Sequence, residues 1–184
     1  PRQSNNSDDL IELRIQRQKQ AEAQALQQKK ADDLKHLNAH QIAVQIISNA
    51  VPCDEHQYLK LADTKPYGAY TAEKILFNGR HFINPLLIPL YDSQTHTICS
   101  VQLITADGHK EYLKGGKTTG AYFKISGFTD RDQIITEGYK DACKIHEATG
   151  QTVLCAFTAN NLKTVYDVLG NEHDIIFADN DIKL

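Results

Sequence analysis

The stretch Gln133–Asp181, QIITEGYKDACKIHEATGQTVLCAFTANNLKTVYDVLGNEHDIIFADND, decides the fold class of this chain. Short apolar runs rich in strand-forming residues alternate with longer segments that have a helical pattern and end at a glycine. This rhythm predicts β-α-β-α-β, and short connections of this kind require a parallel sheet with right-handed crossovers. The predicted elements are strand Gln133–Thr136, helix Tyr139–Thr149, strand Val153–Phe157, helix Asn161–Leu169 and strand Asp174–Ala178.

Carboxylates follow the first and the last of these strands. Glu137 comes directly after one strand, Asp141 one helical turn later, and Asp179 and Asp181 follow the other. Ligands of open α/β sheets bind beyond the carboxyl ends of parallel strands, so these side chains are expected to converge. Converging carboxylates repel one another unless a divalent cation neutralises them, and hard oxygen ligands suit Mg²⁺ or Mn²⁺. Taken alone, each motif is also compatible with a structural role at the positive end of a helix.

A helix and a β meander are predicted upstream of this unit. Residues 8–50 are rich in Gln, Lys, Ala and Leu and lack Gly and Pro, which predicts a long, partly solvated helix. Three strands follow, Leu86–Tyr91, Thr97–Thr105 and Lys110–Leu113, with a two-residue hairpin turn at Asp107-Gly108. The residues expected to dock the helix on the domain are Leu34, Leu37, Ile42, Val44, Ile46 and Ile47.

Composition limits the compartment and the partners. The chain has 184 residues, 41% of them hydrophobic, with no apolar run long enough for a membrane span and no secretory leader, so a cytoplasmic location is expected. A start without methionine suggests a piece of a longer protein. The net charge of −3 gives no support for a basic nucleic-acid-binding face. Four cysteines without a C-x-x-C pair predict buried, reduced thiols rather than a zinc ribbon.

The loop Gly115-Gly116-Lys117-Thr118 superficially matches a P-loop. That motif requires a glycine where this chain has Glu111, and a strand-to-helix position that the loop does not occupy. The P-loop interpretation is therefore rejected. Two roles remain open for the loop: approach to a phosphate backbone through Lys114 and Lys117, or a plain flexible connection.

The two acidic strand ends, Glu-Gly and Asp-x-Asp, resemble the Toprim fold shared by bacterial-type primases, type IA and type II topoisomerases and some nucleases. The segment Ile134–Asp141 (IITEGYKD) resembles the acidic motif of bacterial-type DNA primases. The preceding LIPLYDSQTHTICSVQLITADGHKEYLKGG is similar to the strand-rich segment before Toprim in those primases. The stretch HEATGQTVLCAFTANNL is similar to plasmid- and phage-encoded primases and primase–helicases. The resemblance runs from His56 to the end.

The resemblance implies an organisation and an activity. The expected organisation is a helical leader over residues 1–50, the strand-rich part of a primase catalytic core over 51–132, and a Toprim domain, truncated at its carboxyl terminus, over 133–184. The implied reaction is template-directed synthesis of RNA primers from nucleoside triphosphates on single-stranded DNA, with a replicative helicase, fused or separate, as partner. The amino-terminal zinc ribbon of the family is missing, and Gln102 stands where those primases often have arginine.

The resemblance also implies residue roles. Glu137, Asp179 and Asp181 are the implied catalytic residues, Glu137 as metal ligand and general acid–base group, and Asp141 completes the magnesium cluster. Lys114 would contact template or incoming nucleotide. The weaker candidates for template binding are Lys60, Lys65 and Arg80, besides the loop residue Lys117.

Two other functions remain open at this point. A Toprim nuclease would hydrolyse the same bond with water, and a non-catalytic Toprim module would bind DNA or a replication partner. A topoisomerase is disfavoured, because its nucleophilic tyrosine comes from a separate domain for which this chain has no room.

Overall fold

The computed structural model describes residues 5–128 and 132–178. Its elements in chain order are α1 (Asn5–Asn49), β1 (Val51–Pro52), α2 (Gln57–Lys60), β2 (Tyr70–Thr71), β3 (Lys74–Phe77), β4 (Arg80–Ile83), β5 (Leu86–Asp92), β6 (Ile98–Ile104), β7 (Lys110–Tyr112), β8 (Ala121–Ile125), β9 (Ile134–Thr136), α3 (Tyr139–Thr149), β10 (Val153–Cys155), α4 (Ala159–Leu169) and β11 (Ile175–Phe177). The α/β class predicted from the sequence is confirmed. Among the described helices, none combines the length and hydrophobicity that crossing a membrane needs.

The carboxyl-terminal unit has the predicted parallel arrangement. Strand β9 lies in the middle, paired in parallel with β10 on one side and β11 on the other. Helix α3 packs its buried Tyr139, Ala142 and Cys143 into the main core, whereas α4 packs Leu162 and Val165 into a separate cluster with Ile135 and Leu154. The two helices therefore cover opposite faces of the sheet, because neighbouring residues of a strand point to opposite sides.

The meander is confirmed, with one correction to its turn. Strand β6 pairs antiparallel with both β5 and β7. Thr105 donates its backbone N–H to the carbonyl of His109, so the loop between them has three residues and not the predicted two. Gly108 ends this loop at φ +90°, a conformation that glycine adopts without a steric cost.

Strand β8, which the sequence analysis missed, joins the two halves into one sheet. It pairs antiparallel with the end of β5 through Tyr91 and Asp92, and antiparallel with β10 along its length. Within the described residues, the resulting sheet has nine strands, and the β3–β4 hairpin stands apart from it. The hairpin turns at Asn78-Gly79, where both residues have positive φ.

The docking face predicted for the leading helix is wrong in most of its residues. Helix α1 is present, but it packs against the meander through Ala39, Ala43 and Ile47, one turn apart. Small alanine side chains let the helix approach the sheet closely and contact Val101 and Leu103. Ile46 packs beside this face, whereas the other docking candidates are exposed: Leu34, Leu37, Ile42 and Val44.

Candidate functional site

The acidic candidates of the first strand end lie at the centre of the parallel sheet. Thr136, the last residue of β9, is level with Cys155 of β10 and Phe177 of β11. Glu137 therefore leaves the sheet between two flanking strands at their carboxyl ends, where it is half-buried. The Cys155 thiol donates to the Glu137 carbonyl over 3.4 Å, which holds this backbone against β10.

Gly138 brings the second carboxylate to the same junction. It is the N-cap of α3 and has no side chain with which to cap the helix. A Cβ at Gly138 would lie only 2.7 Å from Asp141 Oδ2, so the missing side chain makes room for that carboxylate to fold back over the strand end. The positive end of α3 favours carboxylates here. The structure thus gathers Glu137 and Asp141 at one strand-to-helix junction.

The other two acidic candidates, Asp179 and Asp181, lie outside the described residues. They follow β11, which runs parallel to β9. Within residues 5–128 and 132–178, no three His, Cys, Asp or Glu side chains stand close enough together to hold a metal ion. The described pair supplies hard carboxylate oxygens, which fit Mg²⁺ or Mn²⁺ in donor type. A complete ligand set at this junction stays a prediction.

A tyrosine of the meander faces the acidic junction. The Tyr112 hydroxyl donates to the Phe157 carbonyl over 3.2 Å and also bonds the buried Gln102 side chain. Burial raises the pKa of Tyr112 to about 12, and electrostatic interactions with Cys155 and Glu137 act in the same direction. Tyr112 is therefore a neutral hydrogen-bond donor at pH 7. Phe157 has φ +67°, an uncommon backbone conformation for a residue other than glycine.

The cysteines near the junction are not nucleophiles. All four cysteines of the chain are buried and free, as predicted. Burial raises the pKa of the Cys143 thiol to about 11, and it also raises the pKa of Cys155. A thiol that stays protonated at neutral pH is a poor nucleophile. The carboxylates therefore stay the predicted reacting groups of this site.

Two of the predicted template contacts lie beside α3. Lys60 forms an ion pair with Glu55 over 2.5 Å, and Lys65 is exposed. Both line a small cavity of about 190 Å³ with Glu147, which accepts a hydrogen bond from Thr64 over 2.8 Å. Their role in template binding stays a prediction.

The remaining basic candidates cluster around the end of β7. Arg80 forms an ion pair with Glu111, and its guanidinium carbon lies 5.4 Å from the centre of the Phe82 ring. Lys114 has an exposed side chain, and its backbone N–H donates to Asn78 Oδ1 over 2.9 Å. The Lys114 ammonium is thus presented on a braced backbone, while Arg80 is already paired.

Lys117 and its loop have packing roles. The Lys117 ammonium forms an ion pair with Asp92, which is 7% exposed. Burial acts to raise the pKa of Asp92, but hydrogen bonds from Lys117 and from the backbone N–H groups of Gln94 and Thr95 outweigh it and hold that pKa below its usual value. A Cβ at Gly116 would lie 2.2 Å from the Ser100 hydroxyl oxygen, so close packing alone requires that glycine.

Two residues near the site were not predicted from the sequence. Lys110 begins β7, and its ammonium lies 5.9 Å from the centre of the Tyr58 ring. Burial raises the pKa of Cys155, and the charge of Lys110 offsets only a small part of that effect. Asn161, in the first turn of α4, is 5% exposed and bonds three backbone groups. The position of Lys110 directly after a tight turn is only a weak sequence signal for a functional residue. Asn161 gave no signal, because an asparagine near a helix start is usually solvated.

These elements define a class of protein: an α/β chain whose parallel strands end on carboxylates, preceded by an antiparallel meander and similar to bacterial-type DNA primases. Two DNA primase TraC proteins of Escherichia coli are each 30% identical to the chain over 86 residues, 45% of its length. The resemblance to primases is thereby confirmed. The matched segment spans only 6% and 8% of those two proteins. No protein-family model matches the chain.

A solved structure is also similar at a low level. It contains bacteriophage T7 lagging-strand DNA polymerase with primase domains of two gp4 subunits, an RNA/DNA hybrid and dTTP. The matched chain has 16% identity and a TM-score of 0.41, over 63% of this chain and 60% of that one.

Proposed function

We propose that this chain is part of the catalytic core of a DNA primase, which makes RNA primers by metal-dependent nucleotidyl transfer. One observation carries the proposal: Glu137 and Asp141 lie at the same strand-to-helix junction, at the carboxyl end of the central parallel strand, in a chain similar to TraC primases. We assign the carboxyl-terminal unit to the Toprim fold on the same basis. Asp179 and Asp181 are proposed to complete the ligand set.

The residues of the junction have distinct proposed roles. Glu137, Asp141, Asp179 and Asp181 would hold Mg²⁺ or Mn²⁺, which when bound supplies charge neutralisation at the phosphates and activation of the attacking 3′-hydroxyl. Glu137 is suited to accept the proton of that hydroxyl, because it stands at the strand end with its backbone held by Cys155. Tyr112 is proposed to brace the Phe157 carbonyl beside this junction as a neutral donor, with Gln102 bonded to the same hydroxyl.

The proposed substrates and partners follow from this chemistry. Single-stranded DNA is the proposed template, nucleoside triphosphates are the proposed substrates, and a replicative helicase is the proposed partner. The basic residues proposed to contact template or nucleotide are Lys60, Lys65, Arg80, Lys114 and Lys117. Four of them are exposed, namely Lys60, Lys65, Arg80 and Lys114, whereas Lys117 is partly buried.

A product analysis tests the proposed reaction. The full-length parent protein is incubated with Mg²⁺ and labelled single-stranded DNA, with and without nucleoside triphosphates. We expect short RNA products that appear only when triphosphates are present. Cleavage of the DNA without triphosphates would instead identify a nuclease. A protein that gives neither product, and binds no Mn²⁺ in a manner that depends on Asp179, would be a binding module.

Gly138→Ala is expected to weaken metal binding while changing the stability of the fold only slightly. The added methyl group would displace the Asp141 carboxylate, and we expect Mn²⁺ affinity to fall about tenfold, as when other groups that orient metal ligands are lost. The backbone at φ −102° suits alanine, so unfolding free energy should fall by only about 0.5–1 kcal/mol. Mn²⁺ titration and thermal unfolding measure the two effects.

The double variant Gly138→Ala/Asp141→Asn is the matched control. If Gly138 acts only by making room for Asp141, the double variant should bind Mn²⁺ as Asp141→Asn does. An additional loss in the double variant, or wild-type affinity in Gly138→Ala, would contradict this account.

A further inference from the structure

A pocket of about 370 Å³ lies where β8 separates from β5. The same edge of β5 pairs with β2 at Leu87 and with β8 at Tyr91, and between these points β8 turns away to pair with β10. The volume lies within the range of small-ligand pockets. The residues that line this fork pocket include Tyr91, His96, Tyr122, Phe123, Lys124 and Ser126.

Three aromatic rings form the wall of the fork pocket. Tyr91 and Tyr122 are directly opposite on paired strands, with ring centres 6.2 Å apart. The His96 ring meets Tyr122 edge-on at 6.1 Å, and His96 Nδ1 lies 2.9 Å from the Tyr122 hydroxyl oxygen. The two tyrosines are only half-buried and His96 is exposed, so aromatic surface remains accessible. Rings that only filled the core would be buried on all sides.

One end of the fork pocket, at Tyr122, lies at the same edge of the sheet as the acidic junction, whereas Lys124 lies further back along β8. Phe123 is level with Cys155, and Cys155 is level with Thr136, so Tyr122 and Glu137 each lie one residue beyond this row. Two strand spacings separate them, about 10 Å. A polymer strand with one unit bound in the fork pocket could therefore extend to the acidic junction. Lys124 adds a positive charge to the pocket lining.

We propose that the fork pocket binds a base of single-stranded nucleic acid by stacking on Tyr122, with Lys124 attracting the adjacent phosphate. Base–aromatic stacking combined with a nearby cation is the usual way in which proteins hold single strands without reading sequence. The inference rests on the proposed function in one respect, since it takes the bound strand to be the template of the acidic junction.

Oligonucleotide binding by the full-length parent protein tests the fork pocket without catalysis. Dissociation constants for labelled oligo(dT) are measured in EDTA, without nucleoside triphosphates. Tyr122→Leu is expected to raise the dissociation constant about 5- to 100-fold, the range that one stacked base contributes. Tyr122→Phe keeps the stacking ring and should bind as the wild type does. An abasic oligomer of the same length should bind Tyr122→Leu and the wild type equally, because it has no base to stack.

A second variant guards against a folding defect in Tyr122→Leu. His96 has φ +57°, which asparagine tolerates, so His96→Asn removes the ring with little strain and should weaken oligo(dT) binding several-fold. Wild-type affinity for oligo(dT) in both variants would overturn the proposal. It would also be overturned if Tyr122→Leu lost as much affinity for the abasic oligomer as for oligo(dT). Because this binding is measured in EDTA and without nucleoside triphosphates, failure of the fork pocket and failure of the proposed reaction give different results.

Discussion

Replacing Glu137 by glutamine is expected to lower primer synthesis by the full-length protein roughly 100-fold or more. Glutamine keeps the size of the side chain but replaces one carboxylate oxygen by an amide NH2 group, so the negative charge and the ability to take a proton are lost. Glu137 is half-buried and directly follows β9, the central parallel strand. The other described carboxylate of this junction, Asp141, lies in the first turn of α3. The yield of short RNA products on single-stranded DNA, with Mg²⁺ and nucleoside triphosphates, measures the loss.

Glu172→Gln is the matched control for this charge change. Glu172 lies in the turn before β11, at the opposite end of the same sheet, and its side chain is 86% exposed. This variant should synthesise primers at the wild-type rate. Undiminished synthesis by Glu137→Gln would end the primase proposal, and equal losses in both variants would point to overall charge rather than to the site.

Replacing Asn161 by alanine is expected to lower the free energy of unfolding by about 3 kcal/mol or more. Asn161 accepts a hydrogen bond from the Gly120 N–H over 2.7 Å and donates to the carbonyls of Ala121 and Ala156, each over 2.8 Å. Alanine would leave three buried backbone groups without this partner. For a protein of this size the melting temperature should fall by roughly 10 °C, which differential scanning calorimetry measures.

Asn160→Ala is the control for helix propensity at the same helix start. Asn160 precedes Asn161 and is exposed, so this change should shift the melting temperature by no more than about 2 °C. Similar shifts for the two variants would show that the bonds of Asn161 do not stabilise the junction of β8, β10 and α4. A larger fall in melting temperature for Asn161→Ala than for Asn160→Ala would show that the hydrogen bonds of Asn161 stabilise the junction between the two halves of the sheet.

Local sequence patterns predicted the carboxyl-terminal unit closely. Helix Tyr139–Thr149 has the predicted bounds, and strands β9, β10 and β11 lie inside the predicted ranges. The reason is that short apolar strands, amphipathic helices and glycine ends each report on neighbouring residues. The same locality placed Glu137 and Asp141 at one junction, because one helical turn separates them. The convergence of Asp179 and Asp181 on that junction stays a prediction, since both lie outside the described residues.

Long-range pairing was decided only by the tertiary structure. Strand β8 alternates between buried and half-buried residues, yet nothing local indicates that it joins β5 to β10. The docking face of α1 was also hidden, because alanines at positions 39 and 43 carry a weak hydrophobic signal but allow the closest approach to the sheet.

The sequence by itself determined the parallel unit and the carboxylates at its strand end, since both follow from the order of residues along one short segment. The tertiary structure alone brought Tyr112 of the meander within electrostatic range of Glu137 and formed the fork pocket around Tyr122. Each of these arrangements joins segments that are distant in the chain. Their contact depends on how the whole sheet curves and pairs, which no local pattern encodes.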